Sequence, residues 1–161
     1  MGRRDLLDDP NAPKANRLVP AASAIVLDEA GRILLHKRTD NEYWSIPGGA
    51  MEPGQTIAET IVRQVREETG IEASVENLLG AYSNPRHVSV YDDGELRQQF
   101  SVCFLCRAVG GELRTSTESS EVRFVEMAET SDLPIHPSIR LRIQQGVPQH
   151  ALLHLAGGPS R

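Results

Sequence analysis

The stretch from Gly48 to Ile71, GGAMEPGQTIAETIVRQVREETGI, constrains this chain more than any other. A glycine-rich loop, Gly48-Gly49 through Gly54, opens into a helical pattern that closes on Thr69-Gly70-Ile71. Counting from Ala58, the apolar residues Ile61, Val62 and Val65 recur at the i+3, i+4 and i+7 spacing of one helix face. At roughly 100° per residue, Thr60, Gln64, Glu67 and Glu68 fall on a different face. One side of the helix therefore goes to a core, and the other presents two adjacent carboxylates beside the loop. Gly70 suits the left-handed residue just past a helix C-terminus.

The carboxylates carry the chemical clue. Glu67 and Glu68 face the unfavourable end of the helix dipole and repel each other. A hard divalent cation relieves both penalties, and magnesium commonly takes one or two carboxylates while keeping other positions for water and phosphate oxygens. A lone Glu-Glu pair beside Arg63 and Arg66 reads as a solvated acidic helix end. Joined to the glycine loop at this spacing, it reads as a site.

These residues resemble the Nudix box, in which a glycine and a glutamate precede Arg-Glu-aliphatic-any-Glu-Glu-any-Gly-aliphatic. Gly49, Arg63, Val65, Glu67, Glu68, Gly70 and Ile71 occupy their expected places, and the W-x-I-P-G-G phrase ahead of the loop is also similar. Gln55 stands where the first Glu belongs and Gln64 where the Glu after Arg belongs. The resemblance covers roughly residues 18 to 146 and implies an α/β fold, a Nudix-type α/β/α sandwich around a mixed β-sheet.

The rest of the chain is compatible with that fold. Its 161 residues are enough for one domain with a sizeable core, and 39% hydrophobic with 24% charged residues is ordinary for a globular protein. A net charge of −5 gives no reason to expect nucleic acid as a partner, and no apolar run reaches the roughly 20 residues of a bilayer span. The opening MGRRDLLDDPNAPKANR has charges without an apolar stretch behind them, so it does not read as a secretory signal, and the cytoplasm is the expected compartment. A homodimer is allowed by this reading. Cys103 and Cys106 lie in an apolar run, FSVCFLC, where an offset of three puts them on opposite faces of a strand. No second pair completes a zinc site, so both read as core residues.

Taken in order, residues 1–17 are polar and aperiodic, which predicts a flexible arm or a segment ordered only by a partner. Residues 18–146 form the domain and 147–161 a C-terminal tail. Strands are expected at Leu18–Leu27 and Arg32–Lys37 about the turn Asp28–Gly31, and after the helix at Glu72–Ser83. Asp93-Gly94 predicts a two-residue type I′ hairpin between His87–Tyr91 and Leu96–Val109. Thr115–Ser120 reads as a loop before a strand at Val122–Val125. A short helix after Pro137 is expected to stop at Gly146, with a frayed AGGPSR end.

The resemblance implies a pyrophosphohydrolase that splits a nucleoside diphosphate linked to another moiety, with magnesium or manganese as cofactor and a small nucleotide as substrate. Glu67 and Glu68 then match metal ligands, joined by the carbonyl of Gly48 or Gly49 and by a late-loop acid, Glu118 in preference to Glu121. Arg63 orients the loop or its acidic neighbours. Gln64 brings neither a base nor a negative charge; losing a general base, worth roughly 10²–10⁴-fold, should slow the reaction without erasing metal catalysis, and Glu52, Glu59, Glu118 and Glu121 are the candidates to replace it. Arg38, Tyr43 and Trp44 before the box, and Arg86, His87, Tyr91 and Arg97 around the hairpin, are candidates for gripping base or phosphate, with surface or packing roles as the alternative. A second reading is a silent nucleotide-binding or regulatory module, with chemistry lost through Gln55 and Gln64. A third is an assembly role for the N-terminal arm.

Overall fold

The computed structural model describes residues 2–155, with side-chain surroundings through residue 147. In chain order its strands are β1 (Arg3–Leu7), β2 (Arg17–Leu18), β3 (Ala21–Leu27), β4 (Ile33–Arg38), β5 (Trp44–Ser45) and β6 (Gly48–Ala50). Helix α1 (Ile57–Thr69) precedes β7 (Ile71–Tyr91), β8 (Leu96–Gly111) and β9 (Ser119–Val125), and a 3-10 helix (Met127–Asp132) leads to helix α2 (Pro137–Leu155).

Alternation along the central strands divides the apolar residues between two cores. Ile25 and Leu27 of β3, Leu35 of β4 and Cys103 and Leu105 of β8 face one core, where Ile143 of α2 joins them. Ala24 and Val26, Leu34, and Phe104 and Cys106 face the other, against Ile61 and Val65 of α1. The helices thus cover opposite faces of a single sheet ordered β1-β7-β8-β3-β4-β5, with β2 on β8, β6 on β3 and β9 on β4. Among the described strands β3–β8 and β2–β8 pair in parallel and the other strand pairs antiparallel, so the sheet is mixed and the expected sandwich is present. Both cysteines are buried and unlinked, one in each core.

Helix α1 begins where Thr56 accepts a hydrogen bond from the Glu59 N–H at 3.1 Å. It ends on Gly70, left-handed at φ 81°, whose N–H reaches the Arg66 carbonyl.

Several expectations are corrected. The N-terminal arm is a strand for part of its length: Arg3–Leu7 pairs antiparallel with His87–Tyr91. Its polar side chains find partners there, Asp5 accepting from His87 and Ser89. The two segments expected after α1 are one 21-residue strand, β7, whose register shifts against β8 break the alternation near Val75, Leu78 and Leu79. In the hairpin at Asp93-Gly94 only the glycine has positive φ, at 88°. The Tyr91 and Glu95 backbones close a loop one residue longer than a type I′ turn allows, and Asp93 instead accepts from the Glu95 N–H. β9 starts at Ser119, inside the expected loop, because it pairs with β4 from Arg38 onward. Helix α2 runs through Gly146 instead of stopping there. A Cβ at that position would crowd Leu79 and Ile25, so the glycine lets the helix approach the sheet. The expected frayed end, AGGPSR, lies outside the described residues.

Candidate active site

The glycine loop is held by what it lacks. β6 pairs with β3, Gly48 opposite Ser23 and Gly49 opposite Ala22. A Cβ on Gly48 would strike the Ala22 carbonyl, and one on Gly49 would strike the Gln64 amide. These two positions let the loop lie flat between sheet and helix.

Arg63 ties that loop to α1. It donates to the Ala50 carbonyl at 3.2 Å, to Gln55 Oε1 at 3.3 Å and to Glu67 Oε2 at 3.1 Å, with Glu52 at 3.8 Å. Gln55 Oε1 also accepts from the Thr60 hydroxyl and the Glu52 N–H. The amide at 55 therefore keeps the acceptor on which the loop hangs, although it carries no charge.

The two carboxylates part company. Glu67 faces solvent and pairs with Arg63, whereas Glu68 is 2% exposed. One residue of helix advance turns Glu68 inward, so the shared exposed face expected from the sequence is corrected. Glu68 Oε1 accepts from the Gly48 N–H at 3.3 Å and lies 3.2 Å from His36 Nε2, while Oε2 has no partner. His36 Nδ1 in turn meets Ser119 Oγ at 2.7 Å. Burial, then the Glu118 charge, push the Glu68 pKa up to about 8. Burial, then the Arg38 charge, push that of His36 down to about 4. Burial thus opposes charge on both partners of this contact, and neither His36 Nε2 nor Glu68 Oε2 has a hydrogen-bond partner.

This donor set fits a hard divalent cation. A cation reverses the local logic by favouring the ionised carboxylate and gives the orphaned Oε2 a partner. Glu118 and, more weakly, Glu67 already bear on Glu68 through their charges. Among the described residues no three acidic, histidine or cysteine side chains converge at ligand distance, so Glu67 would have to leave Arg63 to join Glu68. Glu121 and Glu52 are exposed, and Glu59 is exposed on the first turn of α1.

On the other side of the loop a cleft opens between the sheet and α2, bounded by β1. Of the residues expected to bind substrate, Arg38, Trp44 and Tyr91 line it and Arg86 does not. Arg38 is paired with Asp40 at 2.6 Å, and Tyr91 carries Arg97 over its ring at 4.2 Å. Trp44 is mostly core, 5% exposed with Arg123 over its ring at 4.7 Å. Arg86 lies outside, exposed and paired with Asp8. The cleft also holds residues that the sequence did not single out: Arg3, Asp5, His136 and Arg142. The one local signal missed was His36, a lone polar residue in the buried half of ILLHKR.

The NUDIX domain profile matches residues 17–145. This chain belongs to the Nudix family. It is 33% identical over 105 residues to an ADP-ribose pyrophosphatase of Methanocaldococcus jannaschii, covering 63% of this chain and 59% of that one. It is also 33% identical over 135 residues to a human 8-oxo-dGDP phosphatase, covering 82% of this chain and 36% of that protein. In both cases the match spans less than two thirds of the relative. Among solved structures, a MutT protein of Methanosarcina mazei superposes with a TM-score of 0.65 at 19% identity, over 87% of this chain and 99% of that one. A Nudix hydrolase of Clostridium perfringens gives 0.67 at 12% identity, over 83% and 99%. These likenesses establish the Nudix fold. The Nudix box is thus the loop, helix and buried Glu68 described above.

No helix among the described residues is long and apolar enough to cross a membrane.

Proposed function

We propose that this Nudix domain hydrolyses a phosphoric anhydride bond in a nucleoside diphosphate joined to a second moiety, with magnesium or manganese held at Glu68. The observation that carries the reading is the buried carboxyl of Glu68, its Oε2 unpartnered, at the closed end of a glycine loop. Glu67 and Glu118 complete the acidic set, together with a carbonyl of the Gly48–Gly49 segment. When bound, the cation would neutralise charge on the diphosphate and lower the pKa of a bound water.

The chain's own residues do the rest. Arg63 fixes the loop carbonyls relative to α1, and Gln55 supplies the acceptor that anchors Arg63. His36 and Ser119 hold the buried side of Glu68 in place. Gln64, packed over Gly49, takes no proton, so any protein base here is another residue. Of the four that stand in for it, Glu118 is the one whose charge acts on Glu68. Arg38, its charge shared with Asp40, lies at the cleft wall for substrate phosphate. A small nucleotide substrate, a cytoplasmic setting and no nucleic-acid partner go with this reading, the last supported by the net charge of −5.

A product screen tests it. ADP-ribose, nucleotide sugars and 8-oxo-dGDP, each with and without magnesium, are expected to give metal-dependent release of a phosphate product from at least one. Two named relatives act on substrates of these kinds. Nucleotide-dependent thermal stabilisation with no turnover of any substrate would replace this function with that of a binding module.

A further inference from the structure

Four arginines line the cleft between the sheet and α2, although the chain as a whole carries a net charge of −5. Three of them are paired with an acid two residues away: Arg3 with Asp5 at 3.1 Å, Arg38 with Asp40 at 2.6 Å and Arg97 with Glu95 at 2.8 Å. Arg142 has no such partner. It is 6% exposed on α2, its guanidinium carbon stands 5.0 Å over the Tyr82 ring, and it makes no ion pair or hydrogen bond among the described residues. A guanidinium keeps its proton in proteins, and a buried charge without a counter-ion is costly. Burial accordingly pushes the Arg142 pKa below its ordinary value. The charge of Asp5 favours the Arg142 cation and that of Arg3 opposes it. The oxygens of Asp5 already meet His87, Ser89 and Arg3. This end of the cleft is thus left with positive charge in excess.

The excess lies apart from the proposed metal. Arg142 belongs to α2 and Glu68 to α1, and these helices cover opposite faces of the sheet. The arginine whose charge acts on Glu68 is Arg38. An anhydride held at Glu68 therefore does not account for Arg142. Arg3 comes from β1, ahead of the residues 17–145 that the NUDIX profile matches, so a segment outside the profile helps to build this end.

We propose that Arg142 and Arg3 form an anion subsite for a phosphate monoester that the substrate carries in addition to its diphosphate. The assignment rests on the nucleotide-hydrolase reading above and narrows the substrate class to nucleoside diphosphate derivatives with a further phosphate. A guanidinium fork matches phosphate oxygens in pairs, which suits a planar cation fixed on a helix. A phosphate monoester carries about −1.5 to −2 at neutral pH, enough to offset two guanidiniums whose charges oppose each other. A carboxylate, with a single charge, offsets less.

Ribose 5-phosphate tests the subsite apart from hydrolysis, because it contains no anhydride bond. In metal-free calorimetric titrations of the full chain it should bind, inorganic phosphate should displace it, and ribose should not bind. Arg142→Met should weaken that binding at least about tenfold, the scale of one charge-assisted contact. Should Arg142→Met fail to fold, Arg142→Lys, which keeps the charge but lacks the fork, should weaken it several-fold. In turnover, KM should be about tenfold lower for the phosphorylated member of at least one of two pairs, and the Arg142 variant should lose that difference. The pairs are ADP-ribose 2′-phosphate with ADP-ribose, and coenzyme A with dephospho-coenzyme A. Failure of ribose 5-phosphate to bind would overturn the proposal. Binding undiminished in a folded Arg142 variant would also overturn it and place the anion at Arg38. Equal KM within both pairs would do the same, as would a preference confined to a carboxylate, read as UDP-glucuronate over UDP-glucose. Ribose 5-phosphate binding by a chain that hydrolyses nothing would defeat the proposed function and leave the subsite standing. Hydrolysis with equal KM in both pairs would do the reverse.

Discussion

His87 Nε2 lies 3.0 Å from Asp5 Oδ1, joining residues 82 positions apart and fastening the first strand to the wall of the cleft. The same oxygen accepts from the Ser89 hydroxyl at 2.7 Å, and Arg3 reaches Oδ2 at 3.1 Å.

This arrangement predicts an acid-sensitive contribution to stability. Burial alone would raise the Asp5 pKa, but the His87 hydrogen bond, the Arg3 charge and the Ser89 hydroxyl together hold it well below the ordinary 3.8. A carboxyl depressed in the folded state contributes stability that is fully present above its unfolded pKa and is lost as pH falls through the folded one. Asp5→Asn should therefore cost about 2 kcal/mol at neutral pH, the scale of a charge-assisted hydrogen bond. The gap between variant and wild type should start to narrow below about pH 4, near the ordinary carboxylate value, and close only once the pH passes below the depressed folded pKa. Melting curves that run parallel across the acid range would show that Asp5 contributes no such linkage.

Glu68→Gln should abolish magnesium-dependent thermal stabilisation and lower any turnover by at least about tenfold. The metal-free variant should melt no lower than the wild type, because a neutral amide replaces a buried acid. Glu67→Gln should weaken metal binding in the same direction, since Glu67 is the adjacent carboxylate of the proposed site. Unchanged metal affinity by calorimetry in both variants would remove the site from α1.

The late-loop acids should separate. The Glu118 charge acts on Glu68, whereas Glu121 sits opposite Lys37 in the β4–β9 ladder. Turnover should fall further in Glu118→Gln than in Glu121→Gln, with circular dichroism unchanged in both. A larger loss at Glu121 would transfer the role to that residue.

Gln64→Glu adds a carboxylate near the others, next to Gly49. Without metal the variant should melt lower through like-charge repulsion. Magnesium should return part of the loss, because a ligand of the folded state alone adds RT ln(1 + [L]/Kd). Melting curves identical to wild type in both conditions would mean that residue 64 does not face the metal. Turnover that stays flat while metal affinity improves would assign the base elsewhere.

Much of the site could be read locally. Helix α1, its glycine cap and its place beside the loop follow from period and spacing within one stretch. The division of labour between Glu67 and Glu68 does not, since the inward turn of Glu68 is fixed by β4 and β9, which supply His36 and Ser119. β1 was illegible for a similar reason: RRDLL has no period, and its partners stand at His87–Tyr91. Gly146 read as a helix stop because a sequence does not show that Leu79 and Ile25 press on it. Local rules succeeded where the contacts are local, and distant pairing decided the rest.

The pairing of Arg3 with Tyr91 has a practical side, since both residues line the cleft. Any polypeptide joined ahead of Gly2, whether native sequence or a purification handle, leaves the sheet beside this cleft. A histidine tag at that end would hold metal-binding imidazoles beside the cleft. Cleaving such a tag before measuring magnesium affinity or substrate preference removes a competitor that the fold itself would otherwise deliver to the doorway.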